Sequence, residues 1–308
     1  MAVSYIDAAR RALDSDLFHS FRHSPSTVAA ALVVAVYFLA AGLAPWIAPH
    51  NTYEVVTLNL SNAFLPPAWT EQGRPEFLLG TDDQGRDVLS TIMLGARVSL
   101  TVGFAAVIFA ATIGVTLGLI SGYVGGYVDA AIMRVADVML SFPAILIALL
   151  IDGVARGVLP RDLHTKVSIY VLIAAIGLST WVQYARTVRA TTMVEKSKEY
   201  VQAARVIGLH PALIMLRHVL PNVLGPVLVI ATIGLAIAVL TEATLSFLGV
   251  GVPPTQPSLG TLIRVGNNFL FSGEWWMTIF PGLALVVLVL SVNLLGDWLR
   301  DALNPKLR

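Results

Sequence analysis

Cysteine is absent from the 308 residues. That excludes disulfides, iron–sulfur clusters and thiolate-bound zinc, and it fits either side of a membrane. Charge is scarce. Asp, Glu, Lys and Arg make up 13% of the chain, against about 25% in an ordinary soluble domain. Too little polar surface remains to wrap a water-soluble core of this size. Neither sign dominates: 20 Lys and Arg stand against 19 Asp and Glu, a formal net charge of +1. A nucleic-acid-binding face needs concentrated basic charge, so no nucleic acid is expected as partner. The phosphate-cradling pattern Gly-x-x-x-x-Gly-Lys-Ser/Thr is missing. Its lysine has no candidate, because none of Lys166, Lys196, Lys198 and Lys306 follows a glycine. The chain is therefore not expected to hydrolyse ATP by the usual design. The histidines form no His-Glu-x-x-His pattern, and no nucleophile constellation marks an enzyme active site. Asp82 and Asp83 have no third ligand nearby in sequence, so a capped loop is expected there and no metal site.

What the chain has is apolar length. Hydrophobic residues make up 56% of it. A bilayer core needs roughly 20 apolar residues per helix, and six runs qualify, near 27–49, 98–121, 132–151, 168–186, 221–246 and 276–297. The first run is longer than a signal peptide's apolar stretch of about 7–15 residues. Trp46 near its end suits an interfacial anchor. The expectation is an all-α polytopic membrane protein: a short N-terminal segment, 1–26, then one transmembrane domain, 27–308. Lysine and arginine placement orients it. With the N-terminus in the cytoplasm, the inner segments hold Arg10, Arg11, Arg22, Arg134, Arg186, Arg189, Lys196, Lys198, Arg205, Arg217, Arg300, Lys306 and Arg308. The outer segments hold Arg74, Arg86, Arg97, Arg156, Arg161, Lys166 and Arg264. That excess favours both termini inside. The first outer loop, about 50–97, should end in a turn and a short amphipathic helix leading into the second span.

One inner segment, about 187–220, separates two of the most apolar runs. Its heart is "EYVQAARVIGLHPALIMLRHVLPN", residues 199–222. Ser197 is placed to cap a helix, with Glu199 in the first turn where the macrodipole favours negative charge. Tyr200, Ala203, Ala204 and Ile207 then share a face at helical spacing. Gly208 should end that helix, and Pro211 suits the first turn of a second one carrying Leu213, Leu216 and Arg217. Two readings fit: a helix–turn–helix that projects to meet a partner, or an amphipathic connector lying in the lipid interface.

Other positions carry paired readings. Gly114, Gly118, Gly122 and Gly126 recur every fourth residue, a spacing that lets membrane helices approach closely. They serve packing within the chain or contact with a partner subunit. Glu242 lies in the fifth span, where a carboxylate is costly. It either meets cargo in a translocation pathway or makes a structural hydrogen bond near the outer gate. Arg134 and Asp137 are spaced to pair on one helix face. Asp297, Arg300 and Asp301 read as a charged, solvated terminus.

The segment around Gly208 resembles the EAA loop of membrane subunits of bacterial ABC importers. The family pattern is Glu-Ala-Ala, three residues, Gly, nine residues, a hydrophobic residue, any residue, Leu-Pro. Ala203, Ala204, Gly208, Leu220 and Pro221 are in register; Gln202 replaces the glutamate and His218 the hydrophobic residue. "LGTDDQGRDVLS" at 79–90, "GARVSLTVG" at 95–103, "GLISGYVGGYVDAAIMRVADVMLSFP" at 118–143, "SFLGVGVPPTQPSLGTLI" at 246–263 and "FPGLALVVLVLSVNLLGDWLRDALNPKLR" at 280–308 are similar to permeases of the dipeptide and oligopeptide branch, the second subunit type above all. The resemblance implies a type I importer permease fold in the bacterial cytoplasmic membrane. It implies a homologous permease in a heterodimer, two ABC ATPases that bind ATP and Mg, and an extracytoplasmic binding protein. The cargo would be dipeptides or short oligopeptides. Nickel chelates, glutathione, opines and oligosaccharides are the alternatives within the same machinery. A polytopic membrane enzyme or a secondary transporter would need clustered catalytic groups or structural repeats, and neither stands out.

Overall fold

A computed structural model describes residues 20–50, 52, 59–252 and 256–302. The ends of the expected N-terminal segment and of the C-terminus, with Arg10, Arg11, Lys306 and Arg308, lie outside the described residues. The described residues are almost entirely helical, with no strand among them beyond an isolated bridge between Thr81 and Asp87.

Helix α1 (Pro25–Ile47) starts with a proline, whose missing N–H costs nothing in a first turn. It runs along α10 (Trp276–Ala302), and Tyr37 donates to the Ala284 carbonyl at 2.8 Å. Helix α2 (Val88–Val124) has 37 residues. At 1.5 Å per residue it is about 55 Å long, well beyond the roughly 30 Å hydrocarbon core. The separate amphipathic helix expected before the second span is instead the first turns of α2, because the Asp87 carboxylate caps it at Ser90 N, 2.8 Å away. Nothing between that cap and the span breaks the helix.

The third span is not straight. Helices α3 (Gly126–Leu140) and α4 (Ala144–Val158) meet at 93°. Pro143 sits at the break, where it cannot donate a helical hydrogen bond. Among the described residues, five helices are thus long and apolar enough to span singly, and this bent pair makes six if it is counted as one span. Helix α5 (Arg161–Glu195) follows, with its apolar part from Val167. Next come the short α6 (Glu199–Val206) and α7 (Pro211–Ile214), a π turn over Met215–Val219, and α8 (Leu220–Phe247). Helix α9 (Leu259–Asn267) packs against α10 and α8.

The most extensive helix contact is α2 on α5. A Cβ on Gly114 would lie 2.6 Å from the Trp181 carbonyl oxygen; on Gly118, 2.6 Å from that of Ala185; on Gly122, 2.7 Å from that of Arg189. Side chains are excluded there because two backbones touch. The contact lies within this chain, and it uses three of the four expected glycines. Gly126 is different: nothing lies within 4 Å of its Cβ position, and its φ of +57° belongs to the turn between α2 and α3. The four-residue repeat runs past the end of the helix, so it overstates the packing stripe by one position. Outside this core, large apolar side chains such as Leu39, Ile108, Leu150 and Val286 are exposed, as expected for a surface facing lipid or other apolar protein.

Candidate functional site

Helix α6 and its surroundings form a dense polar region. Helix α5 ends at Glu195, and a short turn leads to α6. Ser197 does not cap α6; its hydroxyl donates backwards to the Val194 carbonyl at 2.7 Å, and Lys198 takes the cap position. Glu199 is in the first turn. At the other end, Gly208 N donates to the Arg205 carbonyl and Leu209 N to that of Ala204, at 3.0 and 3.1 Å. This is a Schellman ending, and Gly208 supplies its left-handed residue with φ +79°. Pro211 opens α7, where His210 Nδ1 accepts from Ala212 N at 3.3 Å.

The expected face of Tyr200, Ala203, Ala204 and Ile207 is split. Val201 and Ala204 turn inward onto Ile214 and Val219. Ala203, Val206 and Ile207 turn outward, Val206 at 89% and Ile207 at 76% exposure. Only a small residue at 204 lets α6 lie close to the turn over 215–219. Nor is the second arm a separate helix ending at Pro221. Helix α7 passes through the π turn directly into α8, and Leu220 N reaches the Met215 carbonyl. Pro221 has no N–H to offer the preceding turn, and a widened turn there is its usual companion. Leu220 packs against the core beside Val219.

Polar contacts tie α6 to three other helices, α2, α5 and α8. Tyr200 donates to the Glu195 carboxylate, and Lys198 pairs with Glu195 at 2.6 Å. Asn222 Nδ2 donates to Tyr200 Oη at 3.1 Å and to the His218 carbonyl at 2.7 Å. Burial, followed by the hydrogen bond and charge of Glu195, pushes the Tyr200 phenol up to about 12. Arg205 stacks over the Tyr123 ring, 4.9 Å from its centroid. Lys196 Nζ donates to the Gly122 carbonyl at 2.7 Å. Gln202 donates to the Lys196 carbonyl at 3.1 Å, a bond that a glutamate carboxylate at this position would not make. Arg189 grips Asp129 with two nitrogens. Sequence reasoning missed Tyr123, Glu195 and Asn222, which lie far from one another in the chain or outside the motif. The Arg134–Asp137 pair is also replaced: Asp137 pairs with Arg186 across helices.

Glu242 lies far from this region. It is fully buried and accepts from Ser99 Oγ at 2.6 Å and Ser246 Oγ at 2.7 Å. Ser99 Oγ in turn accepts from Leu259 N at 3.2 Å. The carboxylate thus joins α2, α8 and the start of α9. With no exposed surface and both oxygens hydrogen-bonded, Glu242 has the contacts that the structural reading asks for. Asp82 is occupied in the same plain sense, accepting from Arg86 Nε at 2.6 Å and from two backbone amides. Among the described residues, no group of three His, Cys, Asp or Glu is placed to hold a metal ion.

Comparison with known proteins places this architecture. The family model described as "Binding-protein-dependent transport system inner membrane component" matches residues 114–308. Another, "N-terminal TM domain of oligopeptide transport permease C", matches 15–67. The dipeptide transport system permease protein DppC of Escherichia coli (strain K12) is 42% identical over 294 residues, covering 95% of this chain and 93% of its own. The di/tripeptide transport system permease protein DppC of Pseudomonas aeruginosa (strain UCBPP-PA14) is 36% identical over 293 residues, covering 95% and 92%. Among solved structures, an inward-facing MetNI methionine ABC transporter matches 70% of this chain and 96% of its own, with TM-score 0.54 and 19% identity, a likeness of fold. This chain therefore belongs to the inner-membrane components of binding-protein-dependent transport systems, as a permease of an ABC importer.

Proposed function

We propose that this permease is the second membrane subunit of an importer for dipeptides or short oligopeptides. The observation that carries the cargo reading is near-full-length identity of 36–42% to permeases named for dipeptide and di/tripeptide transport. In this reading the chain pairs with a homologous permease. Two ATPase subunits bind ATP and Mg, and an extracytoplasmic binding protein delivers cargo. Both chain termini and α6 face the cytoplasm, in line with the lysine and arginine excess there. The energy comes from the partners, in keeping with the missing phosphate loop.

The coupling role falls on α6, with Glu199, Gln202, Ala203, Ala204, Gly208, Pro211, Leu220 and Pro221. Its outward apolar side, Val206 and Ile207 above all, supports docking on an ATPase. Its inward contacts support rigid transmission: Tyr200 and Asn222 lead to α8, Arg205 and Tyr123 to α2, and Glu195 to α5. When the ATPases close, α6 moves as a body and carries three spanning helices with it. The test is uptake of a labelled dipeptide by cells lacking this gene, restored with wild type or with Gly208→Asp. Uptake restored by wild type alone, and competed by short peptides, supports both cargo and coupling. Competition by chelated nickel and not by peptides would overturn the cargo.

A further inference from the structure

We infer that the loop over 59–80 lies on the membrane surface and is anchored in the lipid interface by Trp69. The inference rests on the membrane-spanning reading and not on cargo or orientation. Two contacts set the depth of α1 against α10. Phe21, just ahead of α1, meets Trp298, and Tyr37 meets Ala284. Following both helices to the other end brings Trp46 level with the start of α10, where Trp275 stands. Trp46 and Trp275 are 78% and 41% exposed. Exposed tryptophans at one depth mark the boundary between hydrocarbon and headgroups.

Trp69 joins this level from a separate part of the chain. Its ring meets Phe280 edge-on at 5.9 Å, and Phe280 also meets Trp275 at 5.6 Å. Phe280 lies one turn inside α10, about 6 Å beyond Trp276 at 1.5 Å per residue. The loop therefore leans down the side of the bundle. Nearer its start, Phe64 packs at the bundle's end against Phe269, at 5.0 Å. Trp69 is itself 63% exposed. Beside Phe280 stands the exposed Ile279, and beyond it Leu283 and Val286 are exposed too, so Trp69 extends an apolar surface that already faces sideways. A soluble partner docking on the end of the bundle would not reach this flank; lipid would. The loop's charged residues suit the other side of the boundary. Glu71, Arg74 and Glu76 are exposed, and Arg74 is held to Asn62 at 2.9 Å.

The cysteine-free chain makes the test direct. Single cysteines at Trp69→Cys, Trp46→Cys and Glu71→Cys are spin-labelled in the full transporter, assembled with cysteine-depleted partners in phospholipid nanodiscs. Collision with oxygen, which enters lipid, is compared with collision with a water-soluble nickel complex. The expected ratio at 69 equals that at 46 and is severalfold above that at 71. Nickel access at 69 equal to that at 71 would overturn the inference in favour of solvent. Exclusion of both reagents would overturn it in favour of a protein partner. A second measurement keeps the ring: Trp69→Phe in nanodiscs of brominated lipid should lose part of the quenchable tryptophan emission of wild type. Unchanged quenching would also overturn the lipid contact.

Discussion

Gly208 shows how one backbone angle closes a helix. Its φ of +79° closes α6, and the space around its Cβ position is empty within 4 Å. A side chain there meets strain without a clash, so Gly208→Ala should cost about 1 kcal/mol. Membrane level should stay normal. Gly208→Asp adds a charge beside Val206 and Ile207. The expected outcome is normal insertion with ATP hydrolysis no longer driving uptake; normal uptake at normal membrane level would remove α6 from the coupling role. Glu242 makes the opposite case, a residue whose two oxygens are both hydrogen-bonded inside the bundle. Glu242→Leu strips Ser99 and Ser246 of their acceptor inside the bundle, at about 1–3 kcal/mol for each group left unsatisfied. Glu242→Gln keeps an acceptor and should leave the peptide competition profile of uptake unchanged. A shifted profile in that variant would return Glu242 to the translocation path.

Between elements, what matters is how closely two helices approach and what links them. Gly118→Ala places a methyl 2.6 Å from the Ala185 carbonyl oxygen. Helices α2 and α5 must then separate, and overpacking of this kind costs about 1–3 kcal/mol. Thermal unfolding in detergent should show a clear loss for Gly118→Ala and a smaller one for Gly126→Ala, which meets no neighbour. The link between α6 and α8 is tested by Tyr200→Phe. The ring stays, but the hydroxyl between Glu195 and Asn222 is lost; transport per ATP hydrolysed should fall while assembly with the ATPases persists. These contacts also explain what the sequence makes legible. Five spans, the Gly208 ending and Pro211 follow from apolar length and local backbone rules, which act within a few residues. The bend at Pro143, the inward turn of Ala204 and the Asp137–Arg186 pair depend on which helices become neighbours. Spacing along one helix offered Arg134 as the partner of Asp137, yet a residue 49 positions away takes its place.

At the scale of the whole molecule, α6 lies between two spans, with its inner side fastened and Val206 and Ile207 exposed at its outer end. Fastening and exposure together argue for a partner over a lipid-lying connector. An interfacial helix would point its apolar residues towards the membrane, but Val201 and Ala204 already pack on the turn leading into α8, and Val206 and Ile207 point the other way. The cysteine-free background turns this into a measurement. A single Val206→Cys in the permease pair alone should react with a membrane-impermeant maleimide in inside-out vesicles and stay unreactive in intact cells. That pattern places α6 in the cytoplasm. Adding the ATPase subunits should then protect the thiol. A Glu71→Cys control should react from the opposite side and ignore the ATPases. Reaction of Val206→Cys in intact cells would reverse the proposed topology. Equal reactivity with and without the ATPases would leave the topology intact while removing the docking face from α6.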